Sequence, residues 1–336
     1  MSGYLKSVFI LFLFLTSLIS CEDDDNTEED EYVGNWIELS SFEGVARADA
    51  IAFSIGDRGY VGTGYDGYER LQDFWEYNPE RNTWTQKADF PGIARNGAVG
   101  FSINEKGYVG TGFDGINKMN DFWQYDPELN IWEKKADFGG SQRYAAIGIG
   151  VNGKGYIGTG FDGNYLKDFW EYDPENDTWT QKTSVGGSKR KDAAVFTING
   201  KIYVSTGINN DIYIDDFWEY DPENDTWTEK NSISDATDED FDDDYLIIGI
   251  NRVAFSLNGK GYLATGGHGV VGSIVWEYDP VTDLWEQKTS LEGSSRINAV
   301  AFCIGNRAYV TTGGSSSSYF DDLWAFDPDD EYDEYD

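Results

Sequence analysis

Histidine and cysteine are almost missing from this 336-residue chain, which has one histidine, His268, and two cysteines, Cys21 and Cys303. That stock supplies no Ser-His-Asp set and no metal-ligand spacing, and no phosphate loop or dinucleotide fingerprint is present. Basic residues are scarce too, with 25 Lys and Arg against 61 Asp and Glu and a formal net charge of −36. Such a surface repels nucleic acid and anionic membranes. Long apolar runs are lacking: Val8–Leu18 is too short to span a bilayer and suits the core of a signal peptide.

That segment ends in Leu18-Ile19-Ser20-Cys21, which resembles the lipobox of bacterial lipoproteins. The resemblance implies removal of residues 1–20 and lipidation of Cys21. Glu22-Asp23-Asp24-Asp25 is similar to the acidic tract that routes some Gram-negative lipoproteins to the outer cell surface. The expectation is an outer-membrane lipoprotein, exposed on the cell and touching the membrane only through its lipid. Residues 21–33 then form an acidic, disordered tether of about 20 Å. With Cys21 lipidated, no intramolecular disulfide can form, and Cys303 reads as a small strand residue.

Six times the chain repeats a phrase whose fullest form is Tyr-x-Gly-Thr-Gly-Phe/Tyr-Asp-Gly, a gap, then Asp-Phe-Trp-Glu-Tyr-Asp-Pro and Thr-Trp. Its threonines, Thr63, Thr111, Thr159, Thr206, Thr265 and Thr312, stand 48, 48, 47, 59 and 47 residues apart. That period, with β-branched and aromatic content, predicts an all-β propeller of four-stranded blades. Tryptophans nine apart mark five complete repeats at 75/84, 123/132, 170/179, 218/227 and 276/285. Trp324 lacks a successor and Trp36 a predecessor, so the strand around Trp36 should complete the last of six blades and leave no open edge. The propeller then spans residues 34–328, and 329–336 form an acidic, disordered tail. In blade one the strands are expected at 50–55, 59–64, 73–77 and 83–87. Alternation in the first of them sets small Ala50, Ala52 and Ser54 against large Ile51, Phe53 and Ile55, all as core, with strand edges and loop ends lining the channel.

The glycine motif closing strand two, followed by spaced Tyr and Trp (Tyr77/Trp84, Tyr125/Trp132, Tyr172/Trp179, Tyr220/Trp227, Tyr278/Trp285), resembles the Kelch family. The family's Gly-Gly doublet survives only at Gly266-Gly267 and Gly313-Gly314. Galactose oxidase-like members bind copper through two histidines and two tyrosines, and a chain with one histidine lacks those ligands. Sialic-acid mutarotases, which share the six-bladed plan, need only an acid/base and arginines to hold a carboxylate. For such chemistry the candidates are Arg252 as clamp with His268 or Asp192 as acid/base.

Strand alternation divides the loops between two faces. Short turns and a basic series (Arg58, Lys106, Lys154, Lys201, Lys260, Arg307) mark the bottom. Longer loops mark the top, the face expected to bind a glycan or protein partner. Two series should converge there: Arg47, Arg95, Arg143, Arg190 and Arg296, and Asp66, Asp114, Asp162, Asn209 and His268. They would either pair to hold the loops or define a pocket where the series breaks, chiefly in blade five. Top-loop aromatics Tyr65, Tyr68, Phe113, Phe161, Tyr165 and Tyr213 are available to stack on sugar rings. No cofactor or metal centre is expected. The insertion at 235–244 has seven carboxylates and suits only weak Ca²⁺ binding, because it lacks the Asp-x-Asp-x-Asp-Gly spacing. The reading is a monomeric, non-catalytic binder, with a sugar mutarotase or epimerase as the alternative.

Overall fold

The computed structural model describes residues 33–235, 241–243 and 245–333; the signal peptide, Cys21 and most of the tether lie outside them. Six four-stranded antiparallel sheets form the blades of a propeller. Blade one is built from Ile51–Ile55, Arg58–Gly62, Phe74–Asn78 and Thr83–Gln86. Strand two stops at Gly62, short of the expected Gly64, because Thr63 turns into the left-handed region at φ 55°. The equivalent threonine does the same in every blade, with φ from 55° to 62°.

The last blade closes as the unpaired tryptophans predict. Asn35–Leu39 lies antiparallel to Leu323–Asp327, with Trp36 opposite Phe326. Trp36 is fully buried, stacks 4.6 Å from Phe326, and donates its indole N–H to Thr289 O. The chain therefore enters the propeller on the bottom face, beside the end of the strand that leaves it.

Blades join through the spaced Tyr and Trp. In blade two, Tyr125 donates to Asn130 Oδ1, which also accepts the N–H of Ala88, just past blade one's outer strand. Trp132 donates to the carbonyl of that same Ala88. Ser40, Ala136 and Thr183 likewise have both backbone groups satisfied by the next blade, whereas at Asn231 only the N–H is, because the Trp285 indole makes no hydrogen bond among the described residues. Nearer the axis two closed rings of backbone hydrogen bonds repeat this stitching. In one, the glycine after each left-handed threonine donates across to the next blade, as Gly64 does to Arg95 O, at 2.7–2.9 Å throughout. In the other, Asp49, Gly97, Ala145, Asp192, Asn251 and Asn298 each donate to the equivalent residue of the preceding blade, at 2.9–3.3 Å.

The wedge between blades is filled by unequal partners. Ile51, Phe53 and Ile55 are buried in one cluster with Val109 and Tyr125 of blade two. A side-chain carbon on Gly107 would stand 2.4 Å from the Phe53 ring, so glycine is required where the ring lands. Phe101 on Gly155, Phe196 on Gly261 and Phe302 on Gly59 repeat the arrangement, and Phe255 meets Ala308. Between blades three and four both partners change at once, to Ile149 and Ile202 in a shared cluster. Of the small first-strand residues expected to be core, Ala50 is buried, but Ala52 and Ser54 are half-buried and, with Gly100, Ser102 and Cys303, border the axial channel. Burial pushes the Cys303 thiol up to about 12, so it is inert.

This exchange of bulk can be tested by urea unfolding. Ile149→Phe alone should overpack the interface by about 1–3 kcal/mol. Ile202→Gly alone should cost about 2–5 kcal/mol through the cavity it leaves. The double variant should recover at least about 1 kcal/mol of their sum; simple additivity would refute the pairing.

Candidate functional site

The arginine series does not reach the top surface. Arg47, Arg95, Arg143, Arg190 and Arg296 are each fully buried within their own blade. Arg95 is representative: it donates to both oxygens of Asp121 at 2.5 and 2.8 Å, to Thr111 O at 2.8 Å and to Ile93 O at 2.8 Å. Its guanidinium also lies 4.8 Å from the Phe90 ring centre. Asp73, Asp168 and Asp322 hold Arg47, Arg143 and Arg296 in the same two-oxygen way, and Asp216 holds Arg190 through one oxygen. Burial pushes the Asp121 carboxyl up, but the Arg95 hydrogen bonds and charge more than reverse it, and it stays below the usual range. These arginines brace the left-handed threonine carbonyl and hold the loops in shape. The partner is the aspartate before strand three, 25 or 26 residues on, and not the Asp66 series.

That second series caps its own loops. Asp66 Oδ1 accepts the N–H groups of Tyr68 and Glu69; Asp114 Oδ1 accepts those of Ile116 and Asn117; Asp162 Oδ1 accepts that of Asn164. Asn209 lies in a small hairpin of Ile208–Asn209 and Ile212–Tyr213, where the equivalent loops of the other blades carry a single bridge. His268 is exposed, its ring 4.3 Å from Tyr213. The bottom basic residues are engaged as well: Lys106, Lys154, Lys201, Lys260 and Arg307 pair with Asp126, Asp173, Asp221, Asp279 and Asp327.

Blade five departs from the others in a coordinated way. Gly249 replaces the arginine and Ile274 the aspartate, so the ion pair is lost as a unit. Arg252 grows from the position of Ala50 and reaches the same place, donating to Thr265 O, Leu246 O and Ile248 O. A side-chain carbon on Gly266 would stand 2.3 Å from Arg252 Cγ, so that glycine gives the arginine its path. Burial, with no carboxylate against it, lowers the Arg252 guanidinium to about 10. Its terminal nitrogens are committed to carbonyls, which corrects the expectation that they clamp a ligand. The inserted segment before this blade brings Asp235, Asp242 and Asp243 within 4.8 Å of one another; residues 236–240 and 244 lie outside the described residues.

Of the proposed acid/base residues, only Asp192 reaches a cavity. The inner hydrogen-bonded ring sits at the top of the axis, and its six residues all have φ between 53° and 59°. Asp, Asn and Gly tolerate that conformation best, and they fill five of the six positions. Asp49, Asp192, Asn251 and Asn298 line a cavity of about 330 Å³ with Asn96, Tyr144 and Lys191; Gly97 and Ala145 complete the circle without polar side chains. Asp192 pairs with Lys191 at 2.8 Å. Asp49 accepts one hydrogen bond, from Asn96 Nδ2 at 3.2 Å. Tyr144 lines the cavity and belongs to a run of top-loop rings, packing on Phe113 and Phe161, with Phe161 on Tyr165; Tyr65 packs on Tyr319. Arg70 lies over both Tyr65 and Phe113, and Lys191 over Tyr144.

Sequence reasoning missed Asp49, Asn251, Asn298, Lys191 and Tyr144. The available signal was the column two residues after each arginine, rich in the residues that favour left-handed backbone. Burial, and then the charge of Asp192, raise the Asp49 carboxyl to about 6; burial likewise raises Asp192, against the pull of Lys191. Folded Asp49 thus holds its proton to higher pH than an unfolded aspartate, and its share of stability grows as pH falls through about 6. Asp49→Asn should melt above the wild type near pH 7.5, and the gap should narrow as pH falls through about 6 and close only below about pH 4. A gap that does not change with pH would contradict the buried carboxylate.

The Kelch motif family model matches residues 155–186 and 189–233. Among solved structures, the one entitled "Structure of YjhT" superposes with a TM-score of 0.72 over 85% of this chain and 95% of that chain. At 17% identity that likeness concerns the fold alone. No curated protein matches the sequence significantly. Repeat spacing, blade architecture and motif match agree: the chain is a six-bladed β-propeller that carries Kelch motifs over residues 155–186 and 189–233.

Proposed function

We propose that this propeller is a non-catalytic, lipid-anchored surface protein that binds the end of a glycan in the axial mouth of its top face. One observation carries the reading: a polar cavity lined by Tyr144, whose ring packs on Phe113 and Phe161, opens at the centre of the face whose loops vary most. Saccharides suit such a site because their hydroxyls hydrogen-bond to carboxylates and amides while their C–H faces pack on rings. Asn251 and Asn298 support this, since their side-chain amides make no hydrogen bond among the described residues and border the cavity. The bottom face offers less, because its cations are paired with aspartates of their own blades.

The catalytic alternative finds its parts apart. Arg252 lines the mouth with Asp192 but spends its terminal nitrogens on three carbonyls, and His268 stands exposed beside Tyr213, outside the cavity lining. Anchorage through Cys21 fits the entry of the chain on the bottom face, which would turn the mouth away from the membrane. The acidic insertion, where three carboxylates gather, would take Ca²⁺ weakly if at all.

Two experiments test these readings. On a glycan array the purified protein should bind a defined subset, and Tyr144→Ala should weaken that binding about tenfold, as expected from about 1.4 kcal/mol of lost ring contact. An array without binding would defeat the glycan reading. Cys21→Ala should move the protein from the membrane fraction to the soluble one; retention in the membrane would defeat the anchor.

A further inference from the structure

We infer that the axial mouth recognises a primary ammonium group, so that its ligand class is a glycan bearing a free, unacetylated amino sugar. This deepens the glycan reading above and rests on it. The inference begins with an exception to the pairing found elsewhere in the repeat. Carboxylates before strand three are held by buried arginines, and those after it by lysines or an arginine on the bottom turns. Asp49 sits half-buried in the cavity wall without any such partner: among the described residues its carboxylate accepts one hydrogen bond, the 3.2 Å contact from Asn96. Enclosing an ionised carboxylate without a cation is costly, and a bound cation removes the cost.

The second carboxylate lies across the axis. Asp49 belongs to blade one and Asp192 to blade four, opposite each other in a ring of six, and both line the same cavity. Lys191 engages Asp192 at 2.8 Å but leaves Asp49 without an ion pair, so the cavity favours a cation on the blade-one side. An anionic sugar would meet two carboxylates there. A tightly held metal ion is a poorer fit, because its ligands must crowd one point and these two come from opposite walls. An ammonium has three donors to distribute between Asp49 and neighbouring oxygens. Asn298 and Asn251 lie next along the ring, placed for sugar hydroxyls, and Tyr144 lines the side where Gly97 and Ala145 carry no polar side chain.

Titration calorimetry with a matched pair of probes tests this: a β-1,4-linked glucosamine tetramer and its fully N-acetylated counterpart. Wild-type protein should bind the free-amine form at least tenfold more tightly near pH 7. Asp49→Asn, which keeps the side-chain shape, should reduce that preference to under about twofold. Binding of the amine should also weaken as pH falls through about 6, although the amine itself only becomes more fully protonated. The charged groups acting on Asp49 are Asp192, Lys191 and Arg70, so Asp192→Asn should shift that midpoint downward. Equal affinity for the two tetramers, tighter binding of the acetylated one, or no binding of either while other glycans bind would each overturn the ammonium inference and leave the glycan reading standing. Failure of every glycan on the array would remove the reading itself.

Discussion

The propeller depends on backbone hydrogen bonds that cross from blade to blade around the axis. A four-stranded sheet on its own has two open edges and two apolar faces, and is marginal in water. Two closed rings of backbone bonds fix each inner edge to its neighbour, and both need left-handed residues at the top of each blade. The arginine–aspartate pairs support this strained backbone from below, one guanidinium bonding each threonine carbonyl. The same ring that closes the fold also sets which side chains face the mouth. Architecture and binding surface are therefore one feature, and five of the mouth's six ring positions carry residues chosen first for their φ.

Blade five clarifies how far that support can be rearranged. It loses the arginine and aspartate together, yet keeps the threonine carbonyl capped by sending Arg252 from three positions later. Its backbone still takes part in both rings, with Gly249 O accepting from Gly207 and Asn251 donating to Asp192. Paired loss fits the physics of buried ions, since leaving either charge alone would cost several kcal/mol and removing both costs little. The result is a blade in which a guanidinium is neutralised only by carbonyl dipoles.

Fold and blade count were legible because they rest on periodic features: six threonines, twelve tryptophans and two orphans at opposite ends of the chain. The arginine series was equally visible, but a repeat cannot reveal whether a side chain points up or inward. The aspartate spacing of 25 or 26 residues, together with its disappearance in the one blade lacking the arginine, held the answer. Asp49 and Tyr144 were harder to read. They matter because three-dimensional closure brings residues from six blades to one axis, and no local pattern separates a turn aspartate that meets solvent from one that meets a cavity. The channel wall was misjudged for a related reason. Alternation sorts side chains by size, but the small set still borders open space because the blades converge without touching at the axis.

The isoleucine pair at the junction of blades three and four, set among phenylalanine–glycine junctions, bears on how such rings grow and shrink. Where junctions are alike, a copied or deleted repeat presents its neighbours with the bulk they already fit. At this junction it would not: a glycine-bearing blade placed against Ile149 would leave a void, and a phenylalanine-bearing blade placed against Ile202 would collide. The junction therefore acts as a seam in the order of the repeats, tying these two blades to inheritance as a couple while the others stay free to be exchanged.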